Sequence, residues 1–528
     1  MSAKKSGGGG VPAAGGADVF IGVDIGTQGV KAAAFDAEGR CLAESFRASE
    51  LLRPSPGAVE EDPERQVRSA CETIAECAAK SGAGGAGGAG RARVAGIAID
   101  GQMAGVIGVG DDGRAVTPYD SWLDTRCAPY IERMQREAGS EVVRKAGGPP
   151  SFNHGPKILW WKHERSETWP RIRSFVQPGG YAAMRLCGLQ GDAAFIDASY
   201  LHFSGFADTQ ANRWDADLCR RFGVDIGKLP RIVLPHEVVG TLAPSMAGSC
   251  GLAPGVPVVA GCGDTAASFL SCGATRAGIC VDVAGTASVF AATTSAFKAD
   301  EQAMVLSCGR SATPGLWHPY AYINGGGMNL EWFKRDIAGA FGAAGRELPD
   351  FDRLNAMAAA VQPSGDDPLF VPHLAGRVSP ARPRLRGAWV GLAWNHGPGH
   401  LFRAVLEGVA LEYGIYLRTL ESLFGAGTVR EVRVTGGGEK SAVWNRIKAD
   451  TLQVPVVQVK GAGGAPLGSA LLAGHGSGAL ANLAEAAGRW ISTGTVTEPD
   501  TRRAGLARER IDRYASLLAA LEHWSEKA

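Results

Sequence analysis

The stretch that decides the fold is VFIGVDIGTQGVKAAAFDAEGRCLAESF, residues 19–46. Its apolar runs and its glycine pairs predict two β-strands joined by a tight turn at Gly26 to Gly29, then a third strand after Glu38-Gly39. Residues 279–294, ICVDVAGTASVFAATT, repeat the order strand, glycine turn, strand, with the turn at Gly285. A unit that begins twice in one chain indicates two related α/β lobes that face one another.

The length supports this division, because 528 residues exceed what one compact core usually holds. The pattern restarts at PVVAGCGDTAASFL, residues 257–270, after the punctuation of Pro254 and Pro257. We therefore predict a disordered tail at 1–17, a first domain at 18–258 and a second domain at 259–525. Apolar spacing predicts helices at 63–80, within 121–187, and at 400–424, 441–453 and 506–523.

The charge balance argues against a nucleic-acid partner or a basic membrane-binding face, because 54 Lys and Arg oppose 53 Asp and Glu. The 11 cysteines are scattered without metal-ligand spacing, which is typical of a reducing compartment. Neither a secretory leader nor a long apolar run is evident. We predict a cytoplasmic protein without a membrane span, and the sequence leaves a homodimer open.

The first glycine turn carries the sequence Asp24-Ile25-Gly26-Thr27-Gln28. A glycine at a strand end lets the backbone approach a ligand, so that N–H groups and the Thr27 hydroxyl can grip phosphate oxygens. Asp24 is suited to hold Mg²⁺ through its water shell. An ordinary β-hairpin with a glycine turn explains this segment equally well when it is taken alone.

The second lobe offers two further glycine loops. Gly285-Thr286 repeats the first turn, and the two turns together could clamp a triphosphate from both sides. Gly436-Gly437-Gly438 and Ser441 lie between a predicted strand and a predicted helix, where glycines leave a flat floor for a nucleobase or ribose. A simple strand-to-helix loop is the alternative there.

Asp264 follows Gly261-Cys262-Gly263 at the mouth of a buried strand. A hydroxyl that accepts a phosphoryl group needs an oriented base, and an aspartate suffices because positioning supplies most of the catalysis. The alternative is a helix N-cap, a common use of aspartate, and the two roles are compatible.

The longest pattern is GAWVGLAWNHGPGHLFRAVLE, residues 387–407. With it, the chain resembles the FGGY carbohydrate kinases, and among them the xylulokinase-like branch, over residues 18–525. The same order of motifs is found in Asp24-Ile-Gly-Thr, Gly101-Gln-Met103, Trp122-Leu-Asp124-Thr-Arg126, Gly263-Asp264, Gly285-Thr286 and Gly436-Gly-Gly438.

The resemblance implies an α/β fold of the two-lobed actin/hexokinase type, with ribonuclease H-like lobes, a five-stranded sheet in each and a central cleft. ATP would lie on the second lobe and the sugar mainly on the first. Asp264 would be the catalytic base, and Asp24 would help to hold Mg²⁺ and ATP. The residues expected at the nucleotide are Gly26, Thr27, Gln28, Gly285, Thr286, Gly436, Gly437, Gly438 and Ser441. Those expected at the sugar are Gln102, Met103, Asp124, Arg126 and Asp264.

Three departures from the family pattern lie in the sugar-binding lobe. Ala104 stands where the branch usually has histidine, Asp100 replaces a small neutral residue, and the signature around Lys157 has His154 and Trp161 at unusual positions. The alternative for His154 is an ordinary loop histidine. The alternative for Arg126 is a surface ion-pair partner. We expect Trp122, Trp160 and Trp161 to be core or lobe-packing residues rather than platforms that stack on a sugar.

The sequence thus predicts a kinase that transfers the γ-phosphoryl of ATP to a ketopentose such as D-xylulose. Ribulose, a hexulose, erythritol, glycerol, another non-sugar polyol or a quorum-signal molecule remain alternative acceptors. A non-catalytic ATPase of the same superfold is the competitor from another class. Gly263-Asp264 and the 387–407 pattern favour the kinase, because an ATPase that only changes shape needs no aspartate at a small-molecule pocket.

Overall fold

The hairpin expected at residues 19–46 is the centre of the first sheet. The computed structural model describes residues 17–85, 92–339, 349–461 and 463–527; of the predicted tail, residues 1–16 lie outside these ranges. The six strands of the sheet are β1 (Asp18–Ile25), β2 (Gly29–Asp36), β3 (Cys41–Ala48), β4 (Arg93–Gly101), β5 (Val238–Thr241) and β6 (Pro257–Val259). Their spatial order is β5-β6-β4-β1-β2-β3.

The second sheet has seven strands in the order β9-β10-β8-β7-β11-β12-β13. They are β7 (Ile279–Ala284), β8 (Ser288–Ala292), β9 (Ser307–Arg310), β10 (Trp317–Ile323), β11 (Glu431–Thr435), β12 (Val456–Lys460) and β13 (Ser492–Thr497). The repeated strand-turn-strand unit seen in the sequence is therefore the β7–β8 hairpin.

The two sheets share a core of five strands with the same pairing. In the first, antiparallel β3-β2-β1 continues into parallel β4 and β6; in the second, β10-β8-β7 continues into parallel β11 and β12. The predicted two-lobed α/β architecture is confirmed. The expectation of five strands in each sheet is wrong, because β5, β9 and β13 add antiparallel edge strands.

The helices cover both faces of the sheets, so the central strands are buried on both sides and have continuous apolar runs. The helices are α1 (Pro63–Lys80), α2 (Ala128–Ala146), α3 (His154–Glu164), α4 (Pro178–Cys187), α5 (Ala216–Phe222), α6 (Pro244–Ala247), α7 (Asp264–Ser271), α8 (Gly326–Trp332), α9 (Phe351–Ala360), α10 (Pro398–Phe424), α11 (Ala442–Leu452), α12 (Gly464–Gly476), α13 (Leu483–Trp490) and α14 (Ala504–Lys527). None of the helices within the described ranges is both long and apolar enough to cross a membrane.

Short ribbons and turns complete the lobes. The two-stranded ribbons pair Glu60–Glu61 with Tyr119–Asp120, Ile107–Val109 with Ser174–Val176, Phe195–Asp197 with Arg231–Val233, Ala207–Asp208 with Arg213–Trp214, Leu369–Val371 with Ala388–Val390, and Arg377–Val378 with Ala381–Arg382. A short π-helix at Phe333–Ala338 follows α8, and short 3-10 helices are at Trp169–Arg171, Gly191–Ala193, Ala198–Phe203, Ile226–Lys228, Gly437–Lys440 and Thr501–Arg503.

Two helices cross between the lobes and pack against each other. Helix α7 follows the last parallel strand of the first sheet, and its Phe269 packs among residues of the second sheet. Helix α12 follows β12 of the second sheet and lies on β1 and β4 of the first. Gly22 makes this approach feasible, since a Cβ there would sit 1.8 Å from the Pro466 carbonyl oxygen of α12. The predicted domain boundary at 258/259 therefore assigns α12 to the second domain, although α12 packs on the sheet of the first domain.

Candidate active site

Three carboxylates lie at the carboxyl ends of three adjacent parallel strands. Asp24 is on β1 and Asp100 on β4, and the two are register partners. Asp264 follows β6, and a bridge between Gly101 and Gly263 keeps its turn beside the end of β4. Because parallel strands end at one edge of a sheet, residues far apart in sequence converge there.

Burial dominates the electrostatics of this cluster. It raises the pKa of Asp264 to about 7, and the negative charge of Asp24 adds to the effect. It raises the pKa of Asp24 to about 6, and together with Asp24 it raises the pKa of Asp100 well above its ordinary value. Like charges held out of water disfavour simultaneous ionisation, so the cluster favours a bound proton or cation.

The residues fit a Mg²⁺ ion. Asp24 and Asp100 can hydrogen-bond each other when one of them is protonated. When both are ionised, Asp24 Oδ1 and Asp100 Oδ1 are buried without a donor among the residues described, and a hard cation prefers oxygen ligands of this kind. The other oxygen of Asp100, Oδ2, accepts a 2.5 Å hydrogen bond from the Ser469 hydroxyl of α12. Asp100 therefore links the crossing helix to the carboxylate cluster, a role that sequence reasoning missed.

Asp264 is the first residue of helix α7, with Gly263 as its N-cap. Its Oδ1 accepts hydrogen bonds from the Thr265 backbone N–H at 2.6 Å and from the Thr265 hydroxyl at 3.1 Å. The alternative in which Asp264 is the helix N-cap is therefore wrong, because the N-cap is the preceding residue, Gly263. These bonds fix the carboxylate while leaving Oδ2 for a ligand.

The first glycine turn is tied to a polar network at the cleft. Thr27 donates to Gln102 Oε1 at 3.2 Å and accepts from the Trp122 indole N–H at 2.8 Å. The amide of Gln102 donates to Glu61 Oε1 at 2.8 Å. Trp122 is 46% exposed, so the prediction that it lies in the core is wrong and its packing between lobes stays a prediction. Trp160 and Trp161 are buried in the core, as predicted.

The network gives Gln102 a second task besides the predicted contact with the sugar, because its hydrogen bond with Thr27 helps to order the first glycine turn. Glu61 was not foreseen from the sequence; it is buried, and burial raises its pKa. Gly26 and Gln28 lie in the same turn, which is closed by hydrogen bonds between Gly26 and Gly29. The predicted contacts of these residues with ATP and sugar stay predictions.

Asp124 and Arg126 are joined in a buried ion pair of the first lobe. The guanidinium of Arg126 contacts Asp124, Asp120 and Glu60 at 2.8–3.0 Å and stacks on the Trp160 ring. One oxygen of Asp124 accepts the Val59 backbone N–H at 2.9 Å. These bonds hold the loop that carries Trp122, and they use charges that the sequence assigned to the sugar; the sugar contact stays a prediction.

The second lobe contains a cavity of about 510 Å³. Five of the predicted nucleotide residues line it: Gly285, Thr286, Gly437, Gly438 and Ser441. Gly436 lies directly behind, with left-handed φ of 89° and an approach to the Ala284 carbonyl that excludes a Cβ. The size suits a nucleoside, and the glycine floor offers N–H groups without side chains in the way.

The other walls of this cavity were not predicted. Met328, Leu330, Phe351 and Trp444 supply apolar surface, and Asn355 accepts a 3.0 Å hydrogen bond from the Ser441 hydroxyl. Behind Trp444 lies a buried ion pair between Lys448 and Asp282, and Tyr413 donates to Asp282 at 2.7 Å. Of the segments that form these walls the sequence predicted only the helix at 441–453, and apolar spacing alone does not distinguish a pocket wall from the core.

The chain is similar to known proteins over nearly its whole length. The models of the FGGY family of carbohydrate kinases match the chain, the N-terminal domain at residues 19–271 and the C-terminal domain at 280–477. Xylulose kinase of Bacillus subtilis (strain 168) is 26% identical over 503 residues, covering 94% of this chain and 96% of that protein. Gluconokinase of the same strain is 26% identical over 467 residues, covering 87% and 88%. The crystal structure of xylulose kinase from Rhodospirillum rubrum, 26% identical, superposes with a TM-score of 0.85 over 96% of this chain and 100% of that one.

Proposed function

The chain belongs to the FGGY family of carbohydrate kinases, with its two-lobed actin/hexokinase-type fold, and we propose that its acceptor is a ketose or polyol of pentitol–pentulose size. As a member of that family it is an ATP-dependent phosphotransferase with an alcohol group as acceptor. D-Xylulose is our first candidate, because xylulose kinases recur among the relatives.

The observation that carries the proposal is the position of Asp264. Its carboxylate stands at the carboxyl end of the first sheet, beside Asp24, with a pKa raised to about 7. A base with a pKa near the working pH is both ionised in a useful fraction and strong enough to accept a proton. We assign Asp264 as the general base.

The proposed reaction is a direct transfer. Asp264 takes the proton of the acceptor hydroxyl, and the acceptor oxygen forms a bond to the γ-phosphorus of ATP. The bond between that phosphorus and the β–γ bridging oxygen breaks, and ADP leaves with its electron pair. Because the transition state is loose, positioning and charge stabilisation supply most of the rate enhancement.

We propose that the nucleoside occupies the second-lobe cavity and that the two glycine turns hold the phosphates. The floor Gly437-Gly438 and the Thr286 hydroxyl support this, since they line the cavity together. Mg²⁺ would be held by Asp24 through its waters, with Asp100 adjacent. When bound, the ion would neutralise the charge on the phosphate oxygens.

The acceptor specificity depends on the turn Gln102-Met103-Ala104. Ala104 is only partly buried, and a methyl group in place of the histidine of the family pattern would free about one side chain of space there. A larger acceptor, or one with a hydroxyl that reaches farther, would use this space. We keep D-ribulose, a hexulose, erythritol and glycerol as alternatives, and a sugar acid because gluconokinase is among the relatives.

The test is a substrate panel with ADP release coupled to an indicator reaction. Wild type and Ala104→His are assayed against D-xylulose, L-xylulose, D-ribulose, fructose, erythritol, glycerol and gluconate. The proposal predicts that D-xylulose has the highest kcat/KM for wild type and that the histidine variant improves on it or leaves it unchanged. A wild type that ignores every ketopentose but phosphorylates another member rejects xylulose and keeps the kinase.

The predicted compartment stays a proposal too. All eleven cysteines fall in the described ranges, and all are free thiols, which is consistent with a reducing cytoplasm. The number of subunits also stays a prediction, and mass measurement in solution would decide it.

A further inference from the structure

The side chain that departs most from its expected place is His154. The sequence suggested a loop histidine, but the residue is the first of helix α3 and is only 2% exposed. Its Nε2 lies 2.5 Å from the Met103 carbonyl oxygen. The imidazole of His154 therefore packs directly against the turn Gln102-Met103-Ala104.

The hydrogen-bond partner fixes the tautomer of this imidazole. Burial lowers the pKa of His154 to about 4, so the ring is neutral near pH 7. Because a carbonyl oxygen only accepts, the proton must be on Nε2, and Nδ1 is left as an acceptor. Within the described part of the chain Nδ1 is buried and has no partner. Buried polar atoms are nearly always satisfied, so an unpaired one calls for a ligand or a water.

The surroundings of the ring place it at the acceptor side of the cleft. The Tyr200 ring lies 6.1 Å from that of His154, and its hydroxyl donates to the Gly101 carbonyl at 2.9 Å and lies 3.3 Å from that of Cys262. These carbonyls belong to the two turns that present Met103 and Asp264. The imidazole is therefore part of the same wall as the proposed base.

We propose that Nδ1 of His154 accepts a hydrogen bond from a hydroxyl of the acceptor molecule and so determines which acceptor is used. The ring contacts Met103, which directly precedes Ala104 in the same turn. This inference rests on the proposed function, since it specifies how that acceptor is recognised. The group that binds Nδ1 would be a hydroxyl donor of an uncharged polyol or ketose, because a neutral imidazole carries no positive charge that would attract a carboxylate.

The experiment uses two variants of His154 that separate the role of the Nε2 donor from the role of the Nδ1 acceptor. His154→Gln places an amide N–H near the Nε2 position and keeps the bond to Met103, but it loses the Nδ1 acceptor. His154→Asn places an amide oxygen near Nδ1 but loses the bond to Met103. His163→Gln, an exposed histidine on the same helix, is the matched control. Thermal unfolding confirms that each variant folds.

The readout is the kcat/KM of the best acceptor and of each of its monodeoxy analogues. We expect His154→Gln to lose roughly 5- to 150-fold for the parent acceptor, with KM for ATP unchanged, and to lose discrimination against one deoxy analogue. His154→Asn should retain that discrimination. If Gln behaves as wild type while Asn is impaired, or if discrimination is unchanged in both, His154 only supports Met103 and the inference is overturned.

The same panel distinguishes a failure of the proposed acceptor class from a failure of the proposed role of His154. A wild type that phosphorylates no acceptor, or that prefers an acid, overturns the proposed acceptor class whatever the variants do. A wild type that phosphorylates a neutral ketose or polyol, with His154→Gln equal to it for every analogue, overturns only the role of His154. Calorimetric titration of the acceptor without nucleotide gives the same comparison as binding constants.

Discussion

Asp24 and Asp100 are register partners on the adjacent parallel strands β1 and β4, and when both are ionised each has one buried carboxylate oxygen without a donor among the residues described. Paired positions on neighbouring strands project to the same face of a sheet. Two carboxylates held together in this way resist double ionisation. The pair is therefore poised to take up either a proton or a cation, and the predictions below depend on that property.

Asp264→Asn should nearly abolish phosphoryl transfer. The amide keeps the size of the side chain but cannot take the hydroxyl proton, so we expect kcat to fall roughly 10²–10⁴-fold while ATP affinity is retained. Steady-state kinetics and calorimetric ATP titration measure the two quantities. Asp225→Asn, an exposed aspartate on the first lobe, is the control. A variant that keeps a tenth of the wild-type kcat would show that Asp264 is not the base.

The activity should rise with pH through the range of this base. Burial and the charge of Asp24 raise the pKa of Asp264 to about 7, and only the ionised carboxylate accepts a proton. We expect kcat/KM to fall about tenfold per pH unit below the pKa and to level off above it. A profile from pH 5.5 to 8.5 measures this. A profile that stays flat over this range, as an aspartate of ordinary pKa would give, would contradict the assigned environment.

Asp100→Asn should stabilise the protein more at high pH than at low pH. The pKa of Asp100 is raised by burial and by Asp24, so its contribution to stability is complete below the unfolded pKa and is lost as pH rises through the folded one. The amide avoids this loss and retains a partner for Ser469. Thermal unfolding of metal-free protein at pH 5 and pH 8 tests it; equal shifts at both values argue against the raised pKa.

Gly437→Ala should weaken ATP binding without destabilising the fold. A Cβ at Gly437 has no neighbour within 4 Å, whereas one at Gly438 would lie 2.6 Å from the Trp444 ring. Overpacking against a ligand costs about 1–3 kcal/mol, so ATP affinity should fall roughly 5- to 150-fold. Calorimetry measures it, and Gly438→Ala should instead lower the melting temperature. Unchanged affinity in Gly437→Ala would remove this loop from the nucleotide site.

Several elements could be predicted because their signals are local. The strand-turn-strand units at Gly26 and Gly285 and helix α10 depend on apolar runs, glycines and periodicity within a few residues of one another. The turn before Asp264 was visible in the same way. Gly437, Gly438 and Ser441 were recognised as a loop, and the structure adds that they line one cavity with Thr286.

Other features could not be predicted because they depend on which elements pack together. Asp124 and Arg126 carried the charges expected at a sugar site, but their partners Asp120 and Glu60 become neighbours only through the ribbon of the first lobe. The exposure of Trp122 follows from the loop that this ion pair holds. A tryptophan is consistent with either position, because it is often only partly buried.

By itself the sequence determined the two-lobed α/β fold, the kinase family and the aspartate proposed as base, since these follow from motifs whose residues are close in the chain. Only the tertiary structure brought Asp100 to Ser469, placed α12 on the sheet of the other lobe and buried His154 against Met103. These contacts join residues far apart in the chain. They are decided by how complementary surfaces exclude water and satisfy buried polar groups, and local sequence patterns do not encode that choice.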